Sequence, residues 1–244
     1  MSSLHLQSID SPVSGVQIWT AHLEALSPAE LGELNVLLDA GELARAARFH
    51  FEHDRRHYVA SHGLLRQLLS AAFEMPASAL AFDYGAHGKP AISPALLRDR
   101  ALRFNLSHSA GWAMFALAWD CEVGIDLESA ARLSRGVDGL AGLAVRVLSA
   151  RELTIWQALP ETAREAAFLR AWTRKEAYAK ATGQGLREEL IRADVALDAA
   201  APKPSLTLRS SNAGDVMRDW ILHDLPGPDG FAAALAVEQK LHRQ

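Results

Sequence analysis

The chain has 244 residues, 49% of them hydrophobic and 22% charged, with a net charge of −4. That is the composition of an ordinary globule with room for one large core or two smaller ones, and its acidic balance argues against a nucleic-acid protein, so any anion site must be a local basic patch. The single cysteine, Cys121, excludes an intrachain disulfide or a cysteine zinc site and fits a reducing, cytoplasmic compartment, while no leader or membrane-spanning run is expected.

In chain order, helices and strands intermix. Ser27-Pro28-Ala29-Glu30 is a helix-start signature followed by the apolar stripe Leu31, Leu34, Leu37 and Leu38. A longer helix is predicted from Asp54 to Phe73, closed by Pro76. Short strands are predicted over Leu80 to Tyr84, Leu102 to Leu106, Trp112 to Trp119 and Val123 to Leu127. Helices follow over Leu140 to Val147, Ala150 to Leu159 and Thr162 to Thr182, the last stopped by Gly183-Gln184-Gly185. Strands return at Ala193 to Leu197, Ser205 to Leu208, Asp219 to His223 and Phe231 to Glu238.

Two halves of this map look alike. Each runs from a long helix to a strand, a Lys-Pro connection (Lys89-Pro90, Lys203-Pro204) and a late strand pair. The Lys-Pro pairs lie 114 residues apart, and the same shift carries Arg66 onto Lys180. The reading is an α+β fold made by tandem duplication with pseudo-twofold symmetry, halves at 1–122 and 123–244, and a ligand site between them.

The chemistry gathers in the middle. In Gly124-Ile125-Asp126-Leu127-Glu128 two carboxylates stand at i and i+2, on one face of a strand and about 7 Å apart. In Trp172-Thr173-Arg174-Lys175-Glu176-Ala177-Tyr178-Ala179-Lys180, Trp172, Glu176 and Lys180 share one helical stripe. Three hard oxygen ligands suit Mg²⁺, which takes its other oxygens from water and phosphate. Asn105, Ser107 and His108 can donate to phosphate oxygens, Gly88-Lys89-Pro90 offers a cation on a tight loop, and Arg45, Arg48, Arg55, Arg56 and Arg66 form a basic stretch. Read alone, Asp126 and Glu128 also fit the solvated face of an edge strand, and Glu176 with Lys180 a surface helix pair.

Taken together, these pieces resemble the large, surfactin-synthetase-activating type of 4′-phosphopantetheinyl transferase. The shared pattern is Gly-Ile/Val-Asp-x-Glu, a spacer, then Trp-x-x-Lys-Glu-x-x-x-Lys, preceded by Gly-Lys-Pro and Asn-Leu-Ser-His-Ser; it covers roughly residues 45 to 190. The resemblance implies transfer of the phosphopantetheine arm from coenzyme A to a serine of an apo acyl or peptidyl carrier protein, with release of 3′,5′-ADP. It implies Mg²⁺ on Asp126, Glu128 and Glu176, with Glu176 as base directly or through water, and Lys180 at the pyrophosphate. Arg48, Arg66, Lys89, Ser107, His108, Lys175 and Lys180 are expected at coenzyme A, and Glu152 is a further acid of the spacer. Near Glu52 some relatives carry a lysine where this chain has an acid. The length matches a monomeric, internally duplicated form. The carrier is expected to dock on Arg132, Arg135 and Arg146 with Leu133, Leu140 and Leu143. Another Mg²⁺-dependent phosphotransferase and a non-catalytic carrier-binding module are the competing readings; the chain has no P-loop.

Overall fold

The computed structural model describes residues 5–85, 88–97, 100–133, 139–183, 185, 194, 195, 197, 205, 206 and 219–239. The strands are β1 (Gln7–Ile9), β2 (Val16–His22), β3 (Phe82–Tyr84), β4 (Pro90–Ile92), β5 (Leu102–Ser109), β6 (Trp112–Trp119), β7 (Val123–Ser129), β8 (Ser205–Leu206), β9 (Asp219–Leu225) and β10 (Phe231–Gln239). The helices are α1 (Pro28–Asn35), α2 (Ala40–Ala46), α3 (Glu52–Phe73), α4 (Ala130–Leu133), α5 (Gly139–Val147), α6 (Ala150–Ala158) and α7 (Glu161–Thr182). The Lys203-Pro204 connection and most of the strands expected near residues 193 to 208 lie outside the described residues.

Two four-stranded antiparallel sheets share a three-stranded core order and carry their fourth strand on opposite edges. Their orders are β1-β2-β6-β5 and β7-β10-β9-β8, so β2-β6-β5 corresponds to β7-β10-β9. The sequence reading missed β2, yet it is the strand that pairs with β6 along its whole length. Its alternation is visible in the burial of Val16 and Ile18 around the exposed Gln17, while Ala21 joins the core on the opposite face of the sheet.

Period-2 alternation sorts the core. From β6, Met114, Ala116 and Ala118 meet Ile125 and Leu127 of β7 and Leu235 and Val237 of β10, forming an apolar layer between the sheets. The opposite face of β6, with Phe115 and Leu117, packs on α3 through Leu64, Leu65 and Leu69. The opposite face of β10, with Ala234 and Ala236, packs on α7 through Phe168, Ala171 and Ala177. Each long helix therefore covers the outer face of its own sheet.

α3 and α7 both have 22 residues, and both end on a left-handed cap, Glu74 (φ 51°) and Gly183 (φ 68°). Starts and caps are each 109 residues apart, so the helix register is 109 rather than the 114 read from the Lys-Pro pairs, and Arg66 corresponds to Lys175, not Lys180. The Lys-Pro pair follows the end of its long helix by 16 residues in the first half and by 21 in the second, so it does not share the helix register.

Candidate functional site

The site begins at the seam where β5 lies against the free edge of β7. The side chains on one face of β5 accept from every second backbone N–H of β7: Asn105 Oδ1 from Ile125 at 2.9 Å, Ser107 Oγ from Leu127 at 3.2 Å and Ser109 Oγ from Ser129 at 3.2 Å. Side chains thus take the place of a neighbouring strand, and the edge groups of β7 are satisfied in the interior. The polar residues of Asn105-Leu106-Ser107-His108-Ser109 alternate because the ladder does, while Leu106 and His108 turn the other way, to the cleft described below.

The same serines hold the two carboxylates. Ser107 Oγ donates to Asp126 Oδ1 at 3.0 Å, and Ser109 Oγ donates to Glu128 Oε2 at 2.9 Å. From α7, Lys180 Nζ donates to Asp126 Oδ1 at 2.6 Å and to Ser107 Oγ at 2.8 Å. Asp126 is 2% exposed, and its second oxygen, Oδ2, is buried without a hydrogen-bond partner among the described residues. One turn before Lys180, Glu176 has its carboxyl pushed up to about 7, by burial first and then by the negative charges of Asp126 and Glu128, with Lys180 opposing.

Gly124 makes this approach possible. A Cβ there would fall 2.0 Å from Ala177 O and 2.5 Å from Ala181 N, so α7 lies directly on the backbone of β7. Across the sheet, Ala232, Ala234 and Ala236 pair with Glu128, Asp126 and Gly124 and keep the floor under α7 low.

A cleft of about 340 Å³ opens beside these groups. α7 contributes Glu176, Ala179 and Lys180; β5 contributes Asn105, Leu106 and His108; the loop after β3 contributes Gly88 and Lys89; α2 and α3 contribute Arg45, Tyr58, His62 and Leu65. Lys89 Nζ donates to Ala181 O at 2.6 Å, capping the last turn of α7, and to Glu122 Oε2 at 3.2 Å. Burial draws its ammonium below the ordinary lysine range, with Glu122 opposing.

Of the expected coenzyme A contacts, Lys89, His108 and Lys180 line the cleft. Ser107 is buried beneath it, engaged with Asp126, Lys180 and Leu127. Arg48 is exposed in the turn after α2 and is not part of the lining. Arg66 and Lys175 require correction. Both are fully buried, Arg66 on Glu42, Asp39 and the carbonyls of Ala77 and Leu80, and Lys175 on Glu152 and the carbonyl of Val147. Lys175 precedes Glu176 by one residue, about 100° around the helix, so the two cannot share a face. Glu152 is the N3 acid of the α6 capping box and the partner of that buried lysine. Of the proposed docking residues, Leu140 and Leu143 pack on the core and Arg146 is exposed, while Arg135 and the side chains of Arg132 and Leu133 lie outside the description.

The sequence reading passed over Tyr58, His62 and Tyr84. Tyr58, His62 and Arg66 recur every fourth residue on α3, the one available signal, but the ring of His62 is turned to the cleft by Glu42, a residue 20 positions away. Arg45, noted only as part of a basic stretch, stands 5.3 Å over the ring of Tyr84.

The donor set fits a divalent cation. Oxygen-only ligands, a buried carboxylate oxygen without a donor and a glutamate crowded by negative charge are what a hard cation relieves. Among the described residues no three acidic or imidazole groups already converge at coordinating distance, so water and phosphate oxygens would complete the shell.

Arg45, Lys89 and Lys180 along its walls give the cleft the character of a site for an anionic ligand, with Glu176 in the lining and Asp126 buried beside Lys180. Residues 122–236 match the 4′-phosphopantetheinyl transferase superfamily, and residues 26–119 match the 4′-phosphopantetheinyl transferase N-terminal family. The chain is 35% identical over 222 residues to the 4′-phosphopantetheinyl transferase HetI of Nostoc sp., covering 91% of this chain and 87% of that protein. It is 29% identical over 157 residues to the 4′-phosphopantetheinyl transferase psf-1 of Bacillus pumilus, covering 64% of this chain and 63% of that one. A holo-(acyl-carrier-protein) synthase from Bacillus anthracis, solved in complex with CoA (3′,5′-ADP), aligns over 49% of this chain and 96% of its own at a TM-score of 0.39 and 22% identity. The chain belongs to the 4′-phosphopantetheinyl transferase superfamily, enzymes that move the phosphopantetheine arm of coenzyme A onto a carrier-protein serine.

Proposed function

We propose that this chain performs that transfer with coenzyme A in the cleft and Mg²⁺ on Asp126, Glu128 and Glu176. The observation that carries the reading is the buried, unpartnered Asp126 Oδ2 beside a glutamate whose carboxyl is pushed up to about 7. Bound there, the ion supplies positive charge to the pyrophosphate. Lys180 adds a fixed ammonium at the same point, held by Asp126 and Ser107. Lys89 and His108 bring further donors to the lining. The carrier serine Oγ attacks the phosphorus that bears pantetheine, and its bond to 3′,5′-ADP breaks. The serine proton passes to Glu176, directly or through a water. Positioning and charge neutralisation carry most of such a reaction.

The division into halves at 1–122 and 123–244 belongs to the same reading, supported by the repeated strand order and the two 22-residue helices. Both halves line the cleft, so one copy of the chain supplies every group named, which supports a monomer. The test is incubation with coenzyme A, Mg²⁺ and apo-carrier protein. A carrier mass gain of one phosphopantetheine arm is expected, lost on chelation and in Asp126→Ala. No gain on any apo-carrier, with coenzyme A still bound, would favour the non-catalytic module.

A further inference from the structure

Two buried cations occupy matching places in the two long helices, and their partners have diverged. On the 109-residue register Arg66 corresponds to Lys175. Each donates, at 2.7 Å, to the N3 glutamate of the capping box on the short helix before it, Glu42 of α2 and Glu152 of α6. The second oxygens of these glutamates do different things. Glu152 Oε1 accepts from the backbone N–H of Val195. Glu42 Oε1 instead stands 3.3 Å from Nδ1 of His62, a residue of the cleft lining.

His62 is held on two sides. Its ring stacks on Tyr58 with centroids 4.0 Å apart, and Tyr58, 5% exposed, lines the cleft with a hydroxyl that has no partner among the described residues. Burial raises the Glu42 carboxyl, but bonds from His62, the Asp39 N–H and Arg66 outweigh it and keep Glu42 ionised. An ionised carboxylate only accepts, so Nδ1 of His62 carries a proton, and in the neutral tautomer that this contact selects Nε2 is an acceptor.

Resting on the reading that coenzyme A occupies the cleft, we propose that His62 contacts that ligand and that Glu42 is its positioning residue. Glu42 fixes the Nδ1-protonated tautomer, so His62 reads a neutral N–H or O–H donor of coenzyme A rather than a phosphate oxygen. The N-terminal copy of the buried clamp has thereby gained a role in ligand recognition that its C-terminal counterpart, bound to main chain, does not have.

The full chain is titrated with coenzyme A by calorimetry and assayed with an apo-carrier. Binding by the unaltered protein tests the functional reading, and the difference between it and its variants tests this one. His62→Ala should weaken coenzyme A binding and raise its KM about fivefold to tenfold, the loss of one hydrogen bond, with kcat and the carrier KM unchanged. Glu42→Gln should give a similar loss, and combining the two should add nothing. Unchanged affinity in His62→Ala, or additive losses, would overturn the proposal. Long-range ¹⁵N–¹H spectra of His62 in the unaltered protein provide a test that does not depend on the Glu42 variant folding. A ring protonated at Nδ1 alone is expected, and a neutral ring protonated at Nε2 would sink the idea.

Discussion

Glu176 combines a cost to stability with a use in chemistry. Its carboxyl is raised from 4.5 to about 7, chiefly by burial and then by Asp126 and Glu128. Between those values the unfolded chain has lost the proton and the folded chain still holds it, so stability falls as pH rises through the window and the full cost is present above it. Metal-free Glu176→Gln should therefore melt higher than the parent at pH 8 and close to it at pH 4, as scanning calorimetry would record, while transfer is lost. A variant that melts lower than the parent at pH 8 would contradict the crowding of carboxylates at this point. Glu176 and Lys180 were legible as a pair from their four-residue spacing. That Lys180 holds Asp126 while Lys175 turns inward to Glu152 was not, because helical spacing assigns relative faces but not which face meets the sheet.

The contact between β7 and α7 sets the site geometry, and it depends on one missing methyl group. Gly124→Ala would place a Cβ against backbone atoms of Ala177 and Ala181, which cannot swing aside as a side chain could. The expected result is a loss of about 3 kcal/mol or more in denaturant unfolding, together with loss of coenzyme A binding. The β5 ladder gives a second test. Asn105→Leu leaves the buried N–H of Ile125 without an acceptor and should cost roughly 1–3 kcal/mol, measured the same way. Most elements were legible: the predicted and observed bounds of the long helices differ by one or two residues, and the Trp112–Trp119 strand is as expected. β2 was missed although Val16, Ile18, Trp19 and Thr20 are strand-favouring types, and it pairs with β6 along its whole length.

The two sheets are bound across one apolar layer, in which Val16, Ile18 and Met114 of one meet Val123, Leu225 and Val237 of the other. Residues 1–122 expressed alone would expose that layer and strip Asn105, Ser107 and Ser109 of their partners on β7. Such a fragment should lack a cooperative thermal transition, whereas the whole chain unfolds in one; a sharp transition in the fragment would contradict this. Sequence by itself determined the identity of the parts: the alternation of Asp126 and Glu128, the helical stripe of Glu176 and Lys180, the turn at Gly88-Lys89-Pro90 and the existence of a repeat. These are local, since periods of 2 and 3.6 residues and backbone preferences act over a few positions. Tertiary structure alone decided which cations face the cleft and which are buried, and brought Glu42 to His62. Those outcomes depend on burial and on carboxylates 20 or more residues away, because a cation is stable inside only where the fold supplies its counter-charge.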